Sequence, residues 1–168
     1  GDYATITTTS SLSGYTGGKL VNMSGGNAME YYNDIEFPTN LADWWNYNRK
    51  MDSRITFCAD ATDYAELGIL FDLKQTSGND IYQQMLGSYI PGGMSLLRSS
   101  MMRVLVDGQQ VSQDYIPSTS SSDPFQRRGV NLCSFIGGKH TITFEAKCFA
   151  GDLYTFTLDH VYLDNISL

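Results

Sequence analysis

Lys139-His140-Thr141-Ile142-Thr143-Phe144-Glu145-Ala146-Lys147-Cys148 decides the fold. Ile142, Phe144, Ala146 and Cys148 fall on one face, and Thr141, Thr143, Glu145 and Lys147 on the other. A period of two with one polar face predicts a strand that lays one side on a core and the other in water. Working outward, the last third of the chain reads as three successive strands: Met102 to Val111, Val130 to Cys148 and Asp159 to Leu168. The first of them holds Asp107-Gly108, a tight-turn dipeptide that closes a hairpin when apolar alternation flanks it. In the last, Asp164-Asn165 interrupts the β-branched run Val161 to Leu168. A β-bulge there would re-aim the strand so that Leu163 and Ile166 both face the core.

Upstream, Leu67, Ile69, Phe71 and Leu73 alternate with Gly68, Leu70, Asp72 and Lys74, and Ser53 to Ala59 sets Ile55 and Phe57 on one face. Asp60 to Asp63 reads as the turn between these two strands. Lys19 to Met23 and Ala28 to Phe37 read as strands, and Thr39 to Lys50 as one or two helical turns or an ordered loop. Two long polar connections, Gln75 to Ser100 and Pro117 to Pro124, break the pattern. Loops as long as the first are usually functional or mobile. Eight to ten strands with long connections predict an all-β fold, an antiparallel β-sandwich of jelly-roll type, concanavalin-like or galactose-binding-like. Residues 1–16 are expected to form a tail or a loosely held strand, and residues 17–168 a single domain.

Composition narrows the function. Of the 168 residues 17% are charged, with a net charge of −7, against about 25% charged in an average soluble domain. Polarity comes instead from hydroxyl and amide side chains and eleven tyrosines, a surface more usual in exported proteins. No basic stripe is present to displace phosphate counterions, which argues against nucleic acid. No run of residues is long and apolar enough to form a membrane-spanning helix. Gly1 reads as a residue left by trimming, so an export signal or lipid anchor ahead of it is expected to have been removed, and its absence does not argue for the cytosol. Cys58, Cys133 and Cys148 lack zinc-site spacing and are expected to be buried or half-buried free thiols, with one disulfide as the alternative.

From Ser53 onward the chain resembles the MAM-type jelly-roll modules of large surface and secreted proteins, many of them from Bacteroidetes. The likeness rests on Ser53 to Asp60, Leu70 to Thr76, Arg103 to Gly108, Ser122 to Gln126, Val130 to Gly138, Thr141 to Ala146 and Tyr162 to Ile166. More distantly the chain is similar to cleaved-adhesin and galactose-binding-like sandwiches. It departs from the MAM pattern in the length of the Gln75–Ser100 connection and in residues 1–50. The resemblance implies an extracellular or cell-surface module that is non-catalytic and binds glycans or proteins or spaces other domains. Similar sandwiches often hold a structural calcium near the closing strand, which makes Asp164 and Asn165 candidate ligands; no other cofactor is implied.

Several residues are candidates for recognition. Trp44 and Trp45, with Tyr47 nearby, could offer flat rings to the C–H face of a sugar, or could plug the end of the sandwich. Tyr82 and Tyr89 could line a groove beside the long connection, or pin it to a sheet. Arg127, followed by Arg128, could grip a uronate carboxylate or a sulfate, or form a surface ion pair. His140 and His160 stand outside any hydrolase or zinc motif. Only four glutamates exist, Glu30, Glu36, Glu66 and Glu145, and no acid lies two residues from Glu145, so a glycosidase pair would have to come from distant segments. The sequence therefore predicts a non-catalytic extracellular module that recognises a glycan, on a polysaccharide or a glycoprotein. A protein–protein adhesion or assembly module, with Met85 and Met94 in an apolar patch, is the alternative, and a polysaccharide-degrading enzyme the third reading.

Overall fold

The computed structural model of the protein describes residues 4–7, 20–23, 52–75, 100–116, 124–148, 150–152, 157–158 and 160–168. These form eleven strands: β1 Ala4–Thr7, β2 Leu20–Met23, β3 Asp52–Asp60, β4 Gly68–Gln75, β5 Ser100–Val106, β6 Gln109–Gln110, β7 Gln126–Asn131, β8 Lys139–Cys148, β9 Ala150–Asp152, β10 Thr157–Leu158 and β11 Val161–Ser167. One sheet runs β1-β2-β11-β4-β7, the other β3-β8-β5-β6, and β9 and β10 pair as a small ribbon. Leaving aside β1 and the ribbon, the eight remaining strands alternate between the sheets in jelly-roll order. Counted along the chain, one sheet reads first, eighth, third, sixth and the other second, seventh, fourth, fifth. The protein is an antiparallel jelly-roll β-sandwich, as the alternation in its sequence predicts.

The core lies where the alternating residues of β4 and β8 meet. Ile69, Phe71 and Leu73 project from one sheet, and Ile142, Phe144 and Ala146 from the other, all buried. Phe71 sits edge-on to Phe144, with ring centroids 5.0 Å apart, and edge-on to Tyr115 at 5.7 Å. This geometry suits the positive edge and negative face of aromatic rings and locks the two sheets together. The Asp107-Gly108 turn forms as its sequence demands, with φ values of 50° and 81°. Those left-handed values match the twist of the flanking strands β5 and β6.

The structure corrects several sequence expectations. Met102 to Val111 divides into β5, the turn and β6, and Val130 to Cys148 divides into the end of β7, a 3-10 turn at Cys133–Phe135 and β8. A single turn of 3-10 helix leaves no long-period signal in the sequence. Cys58 and Cys133 are free but exposed rather than buried. On β3 the core face belongs to the odd positions Ser53 to Ala59, so strand alternation turns Cys58 outward. Glu145 and Lys147, expected in water, are buried. Glu145 is held between Arg54 of β3, at 2.5 Å, and Arg103 of β5, at 2.5 Å, in one cross-strand row. Burial of a carboxylate is tolerated because both of its oxygens receive charged donors.

Candidate functional site

Three neighbouring strands, β7, β4 and β11, present an outward face, and cross-strand register sets its rows. Asp72 stands beside Arg127 on one side and Asp164 on the other, and the next row places Leu70 between Gly129 and Ser167. In the first row the side chains close a ring of hydrogen bonds. Arg127 donates from Nη1 to Asp72 Oδ1 (3.2 Å) and to the main-chain oxygen of Asn165 (3.0 Å), and Asn165 Nδ2 donates to Asp72 Oδ2 (2.7 Å). The Asn165 amide holds the Asp72 carboxyl below its ordinary value near 3.8; partial burial opposes this, and the Arg127 hydrogen bond and charge reinforce it.

Asn165 reaches Asp72 because β11 carries a bulge. The register between β11 and β4 slips by one residue between Asp164 and Ser167, and Asn165 takes the left-handed conformation with φ 47°. Glycine usually occupies such a bulge position, and asparagine is among the few other residues that tolerate it. The bulge buries Leu163 and packs Ile166 against the core, as the interrupted run in the sequence suggests. It also turns the Asn165 side chain and carbonyl onto the outer face, where the ring closes.

Beside the ring lies an open depression of about 590 Å³, within the roughly 300–1,000 Å³ of small-ligand sites. Glu66, Gly68, Leu70, Gly129, Asn131, Ser167 and Leu168 line it. Gly129 leaves room beside the floor: a Cβ there would stand 3.0 Å from Leu70 Cδ2, so any larger residue would press on the leucine side chain. Leu70 remains 47% exposed and Leu168 57%. An apolar floor bordered by the Glu66 carboxylate, the Asn131 amide and the Ser167 hydroxyl, with the Asp72–Arg127 pair one row away, can receive a ring that has one C–H face and a perimeter of hydroxyls. Among the described bonds Arg127 uses only Nη1, so its other donors face solvent or ligand.

A second groove, about 480 Å³, runs along the other side of β7, lined by Val111, Ser112, Gln113, Tyr115, Arg128 and Asn131 among others. Arg128 pairs in register with core-facing Phe71 and so leaves the strand on the opposite face from Arg127, although both residues line this groove. Burial pushes the Tyr115 hydroxyl up, with the nearby Arg128 charge opposing it.

Of the residues singled out in the sequence, Arg127 and Asn165 are brought together, and Asp164 occupies the same row. Trp44, Trp45, Tyr47, Tyr82 and Tyr89 lie outside the described residues, as do Met85, Met94 and the Gln75–Ser100 connection between its ends. Of the two candidate calcium ligands, Asn165 already gives its main-chain oxygen to Arg127 and its amide to Asp72. Among the described residues no group of three or more histidine, cysteine or acidic side chains is arranged to hold a metal. Asp72, Leu70 and Gly129 were missed. The available signal was Leu70, an apolar residue on the otherwise polar side of its strand.

No family model matches the chain, and no curated protein matches it significantly. Among solved structures it is similar to a cycloisomaltooligosaccharide glucanotransferase of Paenibacillus sp. complexed with cycloisomaltoheptaose (15% identity over 98% of this chain, TM-score 0.41). It is similar also to an exo-β-1,3-galactanase of Phanerochaete chrysosporium with β-1,3-galactotriose (16% over 98%, TM-score 0.35). A third is an uncharacterized Listeria monocytogenes protein in complex with glucose, magnesium and calcium (14% over 96%, TM-score 0.36). The chain spans 16%, 26% and 11% of those three chains, respectively. At these scores the likenesses carry no functional argument.

Proposed function

We propose that the protein is a non-catalytic, extracellular carbohydrate-recognition module of MAM-like kind, and that the outer face of β7, β4 and β11 holds the sugar. The observation that carries this reading is the hydrogen-bonded ring of Asp72, Arg127 and Asn165, one cross-strand row away from an open depression floored by Leu70 and Gly129. A carboxylate and a guanidinium fixed side by side supply an acceptor and a donor to adjacent hydroxyls without reorganising. Leu70 offers apolar surface to the ring face. Glu145 is bound by two arginines on the opposite sheet, which supports a structural rather than a catalytic role for that acid.

The test is a glycan-array screen of the protein, run in calcium and again in EDTA, with Arg127→Ala and Gly129→Leu alongside. A hit that either substitution abolishes supports the proposal; a hit that both leave intact removes the site from this face. Loss of the hit in EDTA would bring calcium into the reading. A parallel Trp44→Ala variant asks whether that residue contributes. The exposed Leu70 and Leu168 also suit a protein–protein contact. A blank array together with concentration-dependent self-association in sedimentation would favour that second reading.

A further inference from the structure

The groove on the far side of β7 differs in chemistry from the sugar-sized depression. Its lining includes Arg127 and Arg128 and, among the described residues, no acid. In a chain of net charge −7 this is a locally cationic place. The Arg127 guanidinium is engaged with Asp72 and Asn165 on the outer face, which leaves Arg128 as the groove's cation.

Arg128 is fixed from two directions. Its guanidinium carbon stands 5.8 Å from the Tyr115 ring centroid, within reach of cation–π attraction, and Nη2 donates to Gln126 Oε1. Tyr115 is itself anchored, exchanging main-chain hydrogen bonds with Met102 at 2.8 and 3.0 Å and accepting at its oxygen from Gln75 Nε2 at 3.1 Å. The cation is therefore presented by a rigid support. Yet Arg128 Nε is buried and has no hydrogen-bond partner. A buried donor without an acceptor is unfavourable, and a charged donor more so. That Nε is itself out of a ligand's reach, but Arg128 as a whole is only half-buried, and the partner a guanidinium binds most strongly is a negatively charged oxygen. A neutral hydroxyl could occupy the groove but would leave the charge uncompensated.

We propose that this groove is a second subsite, for an oxyanion substituent on a sugar (a uronate carboxylate or a sulfate ester), and that Arg128 holds the anion. The inference rests on the glycan reading for the identity of the carrier, but not for the anion itself. With β7 as the partition, one face takes the uncharged part of an acidic polysaccharide and the strand edge takes its charge.

The experiment is an NMR titration of the protein with D-glucuronate, D-glucose and inorganic sulfate, each against the native chain, Arg128→Gln and Arg128→Lys. Glucuronate is expected to bind at least tenfold more tightly than glucose, shifting the amides of Arg128, Gln113 and Tyr115. That preference should vanish in Arg128→Gln and be only partly restored in Arg128→Lys, which keeps the charge but loses the fork. Sulfate shifting the same amides marks a sulfate ester as an accepted group, and glucuronate alone marks a uronate. Equal affinity for glucuronate and glucose with no response to sulfate, or a preference that survives Arg128→Gln in a chain with a native spectrum, overturns the proposal. Binding of neutral oligosaccharides at the outer face would still stand in that case. Conversely, an anion response lost in Arg128→Gln while neutral oligosaccharides fail everywhere keeps this subsite and removes the outer-face one.

Discussion

Two cross-strand rows of charge have nearly the same ingredients and opposite fates. On the four-stranded sheet, Arg54, Glu145 and Arg103 align across three strands around a buried carboxylate. On the five-stranded sheet, Arg127, Asp72 and Asn165 join across three strands around a carboxylate that solvent still reaches, Asp72 being 22% exposed against 4% for Glu145. Burial decides what each row can do. The Glu145 carboxylate has strong partners and almost no solvent access, so its work is to hold strands together. The Asp72 row has geometry without full desolvation, so a ligand hydroxyl can replace water at its rim at little cost.

The largest test of this contrast is Glu145→Gln. Removing the charge between two arginines in a buried row should cost about 3 kcal/mol of stability in urea denaturation, while sugar binding by the folded protein is retained. A loss under about 1 kcal/mol would place this row with exposed pairs instead. Next comes the bulge: Asn165→Val forces a β-branched residue into φ 47° and should cost about 1–2 kcal/mol. Asn165→Gly, which accepts that backbone, should cost less than half as much. Equal losses would mean that the Asn165 side chain, not its backbone, carries the effect.

Asp72→Asn should move stability by no more than about 1 kcal/mol yet weaken glycan binding about tenfold, since it removes an ionised acceptor. Equal binding by the variant would separate the ring from recognition. The smallest effect is in acid. The Asp72 carboxyl lies below its ordinary value in the folded protein, so its contribution to stability is complete above the ordinary carboxylate range and fades as pH falls through the lowered value. Carbon-detected NMR should find that midpoint below the ordinary one, and Asn165→Ala should bring it back up, because the Asn165 amide is its largest cause. An unchanged midpoint would deny that the ring closes in solution.

The outer face of β7, β4 and β11 was legible only in pieces. Arg127 and Asn165 stood out as a charge on a strand and a break in an apolar run, but nothing in the sequence pairs residues so far apart. Their partner Asp72 looked like any outward residue of an alternating strand. Glu145 misled for the same reason: alternation tells which face a side chain is on, and not whether that face is covered. The two adjacent arginines show the opposite case, where strand geometry alone separates them to either side of β7.

The sequence by itself determined the strands, their inward faces, the Asp107-Gly108 hairpin and the break at Asp164-Asn165, because each follows from local backbone preference and a period of two. Only the tertiary structure decided that β7, β4 and β11 lie side by side and in which register. That choice depends on how the core residues of both sheets fill one volume, and it set Asp72 beside Arg127, Leu70 over Gly129 and Arg128 against Tyr115.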